Sequence, residues 1–370
     1  MLKKYANVVV VPAWGGAVPS NAKSYLVRTS FIKRLWQRFK RDFLLLITCQ
    51  IFLKQERLPK KAKRILYIYL GAQQLGDSIM DLSPRVLWVE AGLQVDMYTH
   101  ESIKSIYRND PSFNQILTSP AELEEDYDHI VLQSYNIKCL RFKWRYFFSM
   151  PFVTLYGYYY GPEFNRLEFS EGAWRHLLEM GVSGVCSIRP VLNLRNDHDV
   201  SRRKPNQVVL AIGGIVTWRT YPYWEDVIRE AAKMRHDIEW VLLGSGNGKL
   251  VAEQIVKSLN RQHKIFNYVD SMSLDEVFEI LKNASLLVAA DGGLMHVGRA
   301  ARVPIIGLFA GEIHPRMRFG SDDPAHIIHA VSEVADIAPT IVASSINTLL
   351  EEEAKGLTVE YSAFIPECSE

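Results

Sequence analysis

The turn Asp291-Gly292-Gly293 combines a carboxylate with two glycines directly after an unbroken apolar run, Leu286–Ala290. Such a run is typical of a strand in a parallel sheet that is covered on both faces, so we expect Asp291 at the carboxyl end of a strand. Gly292 and Gly293 are expected to adopt backbone conformations closed to other residues, which would aim the next helix's free N–H groups outward. Ligands of open α/β sheets lie beyond the carboxyl ends of strands, and helix N-termini bind anions. The turn therefore predicts an anion site.

A second glycine-rich turn, Ile212–Trp224, offers a hydroxyl group and a guanidinium group after another predicted strand. Gly213 and Gly214 are expected to permit a close backbone approach. Thr217 can donate a hydrogen bond, and Arg219 can bind a diphosphate through its planar fork of donors. The alternative is a solvated arginine beside a structural tryptophan, and the local sequence does not choose between the two.

The third turn, Leu70–Ser78, places Asp77 directly before a predicted helix, Ser78–Ala91. A carboxylate at a helix start can cap backbone N–H groups, and aspartate is a preferred residue there. It can also serve as a general base at the carboxyl end of the first strand. Taken alone, the local sequence favours the cap.

Several other segments resemble nucleotide-binding or metal-binding motifs but do not match them in full or have a simpler explanation. The segment Leu243–Leu250 lacks the first glycine and the final Ser or Thr of a P-loop, and Lys249 stands where a dinucleotide-binding turn needs its third glycine. The sequence Asp126-Tyr127-Asp128 is formally a D-x-D motif, but it lies in an acidic stretch that is most simply a solvated surface. We predict no metal site and no bound cofactor.

Strands and helices alternate from Arg64 onward, first up to the helical segment Gly172–Met180 and then again from Val208. This alternation predicts an α/β fold of two Rossmann-like doubly wound domains facing each other across a cleft. The expected division is a basic amphipathic extension (1–63), an N-terminal domain (64–186), a linker (187–206) and a C-terminal domain (207–370).

Composition sets the broad class of protein. Hydrophobic residues make up 48% and charged residues 23% of the 370-residue chain, which excludes a disordered protein. The longest apolar stretch, Phe43–Leu53, is much shorter than the roughly 20 residues of a membrane-spanning helix. The valine run near the N-terminus is broken too early for a typical signal sequence. We therefore expect a cytoplasmic protein that does not cross a membrane.

The positive charge is concentrated in one segment, Lys23–Arg64, which carries a net charge of +11, while the rest of the chain carries −9. Within it, apolar residues recur at three- and four-residue spacing and predict an amphipathic helix; they are Phe31, Ile32, Leu35, Trp36, Phe39 and Phe43. Between them stand the basic residues Lys33, Arg34, Arg38, Lys40 and Arg41. Such a helix can lie in an anionic membrane interface, or its aromatic stripe can pack on the protein's own core. We expect no nucleic acid as a partner.

Three segments together resemble the lipopolysaccharide heptosyltransferase family, glycosyltransferase family 9. The segment Asp291–His296, D-G-G-L-M-H, looks like the family's D-T-G-L-S-H motif. Leu75–Ser78 resembles its L-G-D turn, and Tyr127–Val131 resembles its Y-D-x-x-I strand entrance. The resemblance extends over roughly Arg64–Gly320 and implies the two-domain GT-B fold.

The resemblance also implies a function. Members of the family transfer a sugar from a nucleotide donor, typically ADP-heptose, to a lipopolysaccharide core sugar at the inner membrane, with inversion and without a metal. The N-terminal domain would bind the acceptor, and Asp77 would deprotonate its hydroxyl group. The C-terminal domain would bind the donor through Thr217, Arg219, Asp291, Gly292, Gly293, Leu294, Met295 and His296. Peripheral attachment to the cytoplasmic face of the membrane would follow.

The chain also departs from the family pattern. Gly292 stands where the family usually has Thr, Met295 replaces Ser, and Arg219 replaces Lys. Two alternatives therefore remain open. One is a GT-B-fold nucleotide-sugar epimerase or hydrolase, and the other is a noncatalytic nucleotide-sugar-binding protein.

Overall fold

A computed structural model describes residues 2–7, 29–157, 165–181, 188–192, 203–320 and 323–355. The chain divides into two compact units, Met1–Arg195 and Asn196–Glu370. The point of division lies within the predicted linker, of which residues 187 and 193–202 lie outside the described residues. The last three linker positions, 204–206, already belong to the first strand of the second unit.

The first unit is built on a five-stranded parallel sheet with the order β3-β2-β1-β4-β5. Its strands are β1 (Arg64–Ile68), β2 (Gln94–Tyr98), β3 (Gln115–Leu117), β4 (His129–Leu132) and β5 (Phe152–Thr154). The chain moves outward from β1 in one direction through β2 and β3, and then returns to β4 on the other side. The topological switch point of this doubly wound sheet therefore lies between β1 and β4.

Helices cover this sheet and complete its core. They are α3 (Leu75–Leu82), α4 (Val86–Glu90), α5 (Glu101–Tyr107), α6 (Ile137–Tyr146) and α7 (Arg166–Leu177). The rings of Trp88 and Trp174 pack 4.9 Å apart, and both meet Tyr67 of β1 edge-on. All three side chains are fully buried. Edge-to-face aromatic packing of this kind adds stability beyond the area that it buries.

The second unit contains a six-stranded parallel sheet with the order β11-β10-β9-β6-β7-β8. Its strands are β6 (Lys204–Ala211), β7 (Glu239–Leu243), β8 (Lys264–Asn267), β9 (Ala284–Ala290), β10 (Ile305–Phe309) and β11 (Ala325–His329). Its helices are α8 (Trp224–Ala232), α9 (Lys249–Leu259), α10 (Leu274–Asn283), α11 (Gly293–Ala301) and α12 (Pro339–Ala354). The chain leaves β6 in one direction through β7 and β8 and comes back to β9, so the switch point lies between β6 and β9. Both units thus confirm the predicted Rossmann-like, doubly wound folds.

The N-terminal extension contains α1 (Leu2–Asn7) and α2 (Phe31–Ile47), which pack against each other. The apolar stripe of α2 faces solvent, so the described part of the protein does not cover it. Its exposed members are Phe31, Ile32, Trp36, Phe39, Phe43, Leu46 and Ile47, and Trp36 is 59% exposed. The rings of Trp36, Phe39 and Phe43 stack successively at 5.9 Å. Among the described residues, no helix is long and apolar enough to cross a membrane.

Two basic side chains of α2 do not lie where the sequence predicted them. Arg34 is only 6% exposed, and its guanidinium donates to the carbonyl of Thr29. Arg38 donates to Asp42 at 3.3 Å, and Asp42 also accepts a hydrogen bond from Tyr5 of α1 at 2.5 Å. The polar side of α2 is therefore partly turned toward the protein, because α1 packs there. Lys33 and Lys40 remain exposed, and Arg41 is partly exposed.

Candidate functional site

At the switch point of the second unit, residues from two neighbouring strand ends meet. Arg219 ends a short 3₁₀ helix, Thr217–Arg219, in the loop after β6. Asp291 follows β9 directly. Nη1 of Arg219 donates to Oδ2 of Asp291 at 2.9 Å. Because β6 and β9 pair in parallel, their carboxyl ends lie at the same edge of the sheet, which brings together two side chains far apart in sequence.

Asp291 has a second cationic partner that the sequence did not indicate. Nε of Arg318 donates to Oδ1 of Asp291 at 2.8 Å, and Nη2 of Arg318 lies 3.3 Å from Oδ2. Arg318 follows the 3₁₀ helix Pro315–Met317 in the loop after β10 and is buried, as is Asp291. One buried carboxylate therefore lies between two guanidinium groups, and the cluster carries a formal net charge of +1.

Arg219 keeps part of its guanidinium group available. The one hydrogen bond that this guanidinium group makes to a described residue is the bond from Nη1 to Asp291, and the side chain is 30% exposed. The ring of Trp218 lies under the guanidinium, 5.4 Å from it. Thr217 is exposed at the start of the same 3₁₀ helix. An arginine fixed on one side by a carboxylate and open on the other is well placed to bind an anion.

The two glycines after Asp291 do not have the role predicted from the sequence. Gly292 is fully extended, with φ −172°, a conformation that any residue adopts, and a Cβ atom there would meet only the carbonyl of Ala290 at 3.7 Å. Gly293 is the first residue of α11 and is helical. Left-handed backbone geometry is therefore not needed at this turn. A Cβ atom is therefore tolerated at position 292.

The remaining predicted donor-binding residues lie in the first turn of α11. The side chains of Met295 and His296 are buried, and Leu294 is half-buried. The side chains of Met295 and His296 are thus largely withdrawn from solvent. What this turn can offer a ligand is the set of backbone N–H groups that begin a helix.

Glycine does have a steric role in the loop after β6. Gly213 has a φ of +95°, and a Cβ atom there would lie 2.9 Å from the backbone nitrogen of Gly248. A Cβ atom at Gly214 would lie 2.1 Å from Oγ1 of Thr220. The close approach that the sequence predicted is therefore an approach of the chain to its own loops, which fixes the segment that carries Arg219.

In the first unit, Asp77 lies in the third position of α3, because the helix begins at Leu75 with Gln74 as its N-cap. Asp77 is thus inside the helix rather than ahead of it, and its side chain is 32% exposed. Its carboxylate lies 3.7 Å from Nε of Arg166. Asp77 follows β1, so it stands at the switch-point edge of the first sheet.

One helical turn further on, Asp81 is buried in a dense hydrogen-bond network. Nε and Nη2 of Arg166 donate to its two oxygens at 2.9 and 2.5 Å. Tyr69 donates to it at 3.0 Å, and Tyr156 and Gln133 also donate to it. Arg166 therefore bridges a buried carboxylate, Asp81, and a partly exposed one, Asp77.

The charge of Asp81 affects its neighbours. Burial, together with this charge, raises the pKa values of Tyr69 and Tyr156 well above their ordinary range, so both remain protonated donors. Burial by itself would lower the pKa of Arg166, but the adjacent Asp81 raises the net pKa well above the usual value. A permanently charged Arg166 thus faces Asp77 as well.

The acidic motif Asp126-Tyr127-Asp128 is structural. Oδ1 of Asp126 pairs with Arg64 at 2.5 Å, and Asp128 accepts from the backbone N–H groups of Lys63 and Arg64 at 2.8 and 2.9 Å. These backbone hydrogen bonds lower the pKa of Asp128. The described part of the chain contains no cluster of three or more histidine, cysteine or acidic residues that could hold a metal ion.

Sequence reasoning missed Arg318, Asp81 and Arg166. Asp81 lies within a predicted helix and outside the glycine-rich turn that drew attention to Asp77. Arg166 is far from this turn in the sequence, and only the folded chain brings it to α3. Arg318 lies in a polar loop after a recognised strand, where an arginine is normally solvated. Its position after β10, next to β9 in the sheet, was the one available signal.

Comparisons with known proteins relate part of the chain to a protein family. Residues 199–334, which contain the cluster of Arg219, Asp291 and Arg318, match glycosyltransferase family 9 (heptosyltransferase). The chain is 27% identical over 128 residues to lipooligosaccharide heptosyltransferase 2 of Haemophilus influenzae. That match covers 30% of this chain and 37% of the relative, so it spans well under half of that protein's length.

Solved structures show the same fold across most of the chain. A glycosyltransferase family 9 protein of Veillonella parvula superposes with a TM-score of 0.62 at 14% identity, covering 78% of this chain and 97% of that one. The ADP-heptose lipopolysaccharide heptosyltransferase II of E. coli superposes with a TM-score of 0.61 at 18% identity, covering 79% and 99%. At these identities the likeness establishes the fold.

Proposed function

We propose that the protein transfers a heptose from ADP-heptose to a lipopolysaccharide-type acceptor, because residues 199–334 match glycosyltransferase family 9 (heptosyltransferase). The observation that carries this proposal is the contact between Arg219 and Asp291 at the switch point of the second sheet. Switch points are where open α/β sheets bind their ligands. The similar E. coli enzyme is named for ADP-heptose, which motivates the choice of donor.

In the proposed donor site, the second unit holds the diphosphate. Arg219 donates to a phosphate oxygen with the part of its guanidinium group that Asp291 leaves open. The hydroxyl group of Thr217 and the first backbone N–H groups of α11 add further donors. These groups neutralise the charge that develops on the departing diphosphate, which is the task that a metal ion performs in other transferases. The proposed reaction therefore needs no metal.

In the proposed reaction, Asp77 accepts the proton of the acceptor hydroxyl group, and direct attack inverts the anomeric carbon. Two observations support Asp77 over Asp81. Asp77 is partly exposed at the switch-point edge of the first sheet, whereas Asp81 is buried with all of its charge directed to Arg166 and its tyrosine neighbours.

We also propose that α2 attaches the enzyme to the cytoplasmic face of the inner membrane. Its exposed stripe would insert into the interface, while Lys33 and Lys40, exposed on the same helix, would approach anionic headgroups. This arrangement would keep the active site close to an acceptor that is itself embedded in the bilayer.

A thermal-shift comparison of nucleotide sugars tests the donor assignment. ADP-heptose should raise the melting temperature by mass action, and ADP should do so more weakly. UDP- and GDP-sugars at the same concentration serve as the control and should leave it unchanged. A larger shift with another nucleotide sugar would contradict the donor assignment, and the absence of any shift would contradict nucleotide-sugar binding altogether.

A further inference from the structure

The buried carboxylate of Asp81 lies one helical turn after Asp77, the proposed base, and both of its oxygens accept hydrogen bonds. Arg166 donates to Oδ1 from Nε at 2.9 Å and to Oδ2 from Nη2 at 2.5 Å. The other donors are the side chains of Tyr69, Gln133 and Tyr156. Buried ion pairs often add little stability compared with packed apolar side chains, so stability alone does not explain this one.

The backbone that carries Arg166 is fixed as well as its guanidinium group. Arg166 is the first residue of α7, and the side chain of the N-cap, Asn165, accepts hydrogen bonds from two backbone N–H groups of the first turn at 3.1 and 3.4 Å. One turn later, the hydroxyl group of Ser170 donates to the carbonyl oxygen of Asp81 at 2.7 Å. Two successive turns of α7 are therefore bonded to α3, which sets the position of Arg166 relative to that helix.

Arg166 lies at different distances from the two carboxylates of α3. Its Nε is 2.9 Å from Oδ1 of Asp81 but 3.7 Å from Oδ1 of Asp77. Hydrogen bonds between a guanidinium group and a carboxylate are usually about 2.7–2.9 Å long. Arg166 therefore forms hydrogen bonds with Asp81, whereas it attracts Asp77 through its charge without a short hydrogen bond.

The charge of Arg166 also offsets a repulsion between the two carboxylates. Asp77 and Asp81 are four residues apart on α3 and so lie on the same face of the helix, where like charges destabilise each other. The side chain of Asp81 is 1% exposed and that of Asp77 is 32% exposed. The buried carboxylate is thus neutralised by Arg166, and the remaining negative charge lies on the exposed carboxylate, Asp77.

We propose that Arg166 is a positioning residue for Asp77 and that Asp81 sets the position of Arg166. Because both oxygens of Asp81 hold the guanidinium group, it orients the Asp77 carboxylate from 3.7 Å by charge attraction. It does not come close enough to form the short hydrogen bond that would occupy an oxygen needed for the proton. Under the proposed function, on which this inference rests, the step that benefits is the proton transfer from the acceptor hydroxyl group to Asp77.

Steady-state kinetics of sugar transfer from ADP-heptose to a lipopolysaccharide acceptor test this role in the intact protein. The variants are Arg166→Met, Arg166→Lys, Asp81→Asn and the double variant that combines Asp81→Asn with Arg166→Met. Arg175→Met is the matched control, because Arg175 lies on the same helix, is similarly exposed and pairs with a carboxylate, that of Glu171, at 2.7 Å. Circular dichroism and urea unfolding check that each variant is folded under the assay conditions.

Arg166→Met should lower kcat by about 10- to 100-fold, since a misplacement of about 1 Å costs on the order of 10²-fold in rate. The KM for the acceptor and the Kd for ADP should stay unchanged, because Arg166 acts through Asp77. Arg166→Lys keeps the charge but loses the bidentate pairing with Asp81, so its kcat should lie between those of the parent and Arg166→Met. Arg175→Met should keep the parental kcat.

The remaining variants test whether Asp81 acts through Arg166. Asp81→Asn should lower kcat, because it releases Arg166 toward Asp77. The double variant should lose no more than Arg166→Met alone, since Asp81 has no further role once Arg166 is gone. Additive losses, a parental kcat for Arg166→Met, a loss that appears in KM alone, or an equal loss in Arg175→Met would overturn the proposal.

Crystal structures of the parent and the variants, without substrates, separate this inference from the proposed function. In Arg166→Met the side chain of Asp77 should leave its parental conformer, and in Asp81→Asn the Arg166 guanidinium should approach Asp77 to about 2.7–2.9 Å. If both changes occur but the parent transfers no sugar, the positioning of Asp77 by Arg166 stands and the proposed function fails. An Asp77 side chain that keeps its conformer in Arg166→Met would overturn the positioning role, whether or not the parent transfers sugar.

Discussion

Arg219 and Asp291 are 72 positions apart in the sequence, yet Nη1 of Arg219 donates to Oδ2 of Asp291 at 2.9 Å. The contact exists because β6 and β9 are paired in parallel, so that the loops after them emerge side by side. Asp291 thereby holds one side of the Arg219 guanidinium group in place. Its orientation is set before a ligand arrives, which lowers the entropic cost of binding.

Replacing Arg219 should show how far donor binding depends on the positive charge of this side chain and how far on its planar shape. Arg219→Met should raise the Kd for ADP by at least about tenfold, because it removes a charge-assisted hydrogen bond. Arg219→Lys introduces the family's usual residue and keeps the positive charge, so it should raise the Kd for ADP less than Arg219→Met does. Isothermal titration measures both, with Arg229→Met on α8, where Arg229 pairs with Glu225, as the control. Equal Kd values for the parent and Arg219→Met would contradict the donor-binding role.

Breaking the contact between Arg318 and Asp291 should destabilise the second unit. Asp291→Ala leaves Arg318 buried without its carboxylate, and Arg318→Met leaves Asp291 with Arg219 alone. Each should lower the free energy of unfolding by roughly 3–5 kcal/mol, as expected for half of a buried ion pair. The double variant Asp291→Ala, Arg318→Met should cost clearly less than the sum of the two single losses. Urea unfolding measures this cycle, and additive losses would show that the pair is not coupled.

A pH-dependent contribution to stability is expected from Lys143, which is 1% exposed on the inner side of α6 and bonded to Gln50 and to the carbonyl of Phe148. Burial lowers its pKa from 10.5 to about 8. Between these values the unfolded chain binds more protons than the folded chain, so the free energy of unfolding rises with pH, by up to roughly 1.4 kcal/mol per pH unit.

Lys143→Met removes this titration. Relative to that variant, the parent protein should therefore gain stability as the pH rises from 8 toward 10.5. Lys138→Met, an exposed position on the same helix, should follow the parent throughout. Denaturant unfolding across this range checks the profile, and parallel curves for the parent and Lys143→Met would show that Lys143 keeps its ordinary pKa.

Membrane attachment through α2 should depend on its exposed aromatic residues. Trp36→Ser and Phe39→Ser together should weaken binding to vesicles containing phosphatidylglycerol by at least about tenfold, since each buried aromatic side chain contributes on the order of 1.5–3 kcal/mol. Val89→Ser, an exposed apolar position of α4, is the control and should have no effect. Unchanged vesicle binding of the double variant would contradict membrane attachment through the aromatic residues of α2. Point substitutions are preferable to deletion because Leu45 and Gln50 are packed in the first unit.

The sequence was a good guide where a structural element leaves a periodic pattern. Apolar runs such as Leu286–Ala290 fixed the strand positions, and the alternation of strands and helices indicated the fold. The three-residue strands β3 and β5 are too short to leave a pattern, and they form because longer neighbours offer free hydrogen-bonding edges. Helix α6 was hidden by its aromatic composition.

Only part of the candidate site could be predicted from the sequence. Asp77, Arg219 and Asp291 stood out because they follow predicted strands in glycine-rich turns. Arg318 and Arg166 reach their carboxylates only through tertiary packing, which no local pattern encodes. Arg34 was expected on a solvated basic face but turns inward, because the spacing of charges along a helix does not reveal which neighbouring segment covers it.

The central claim is that Asp77 is the base of a heptosyl transfer, and the transfer rate with ADP-heptose and a lipopolysaccharide acceptor tests it most directly. The parent protein should form an inverted product. Asp77→Asn should lower kcat by about 10²–10⁴-fold with an unchanged Kd for ADP, while Asp126→Asn, at an exposed carboxylate of the same unit, should retain full activity. Transfer at the parental rate by Asp77→Asn, or no transfer by the parent, would contradict the account.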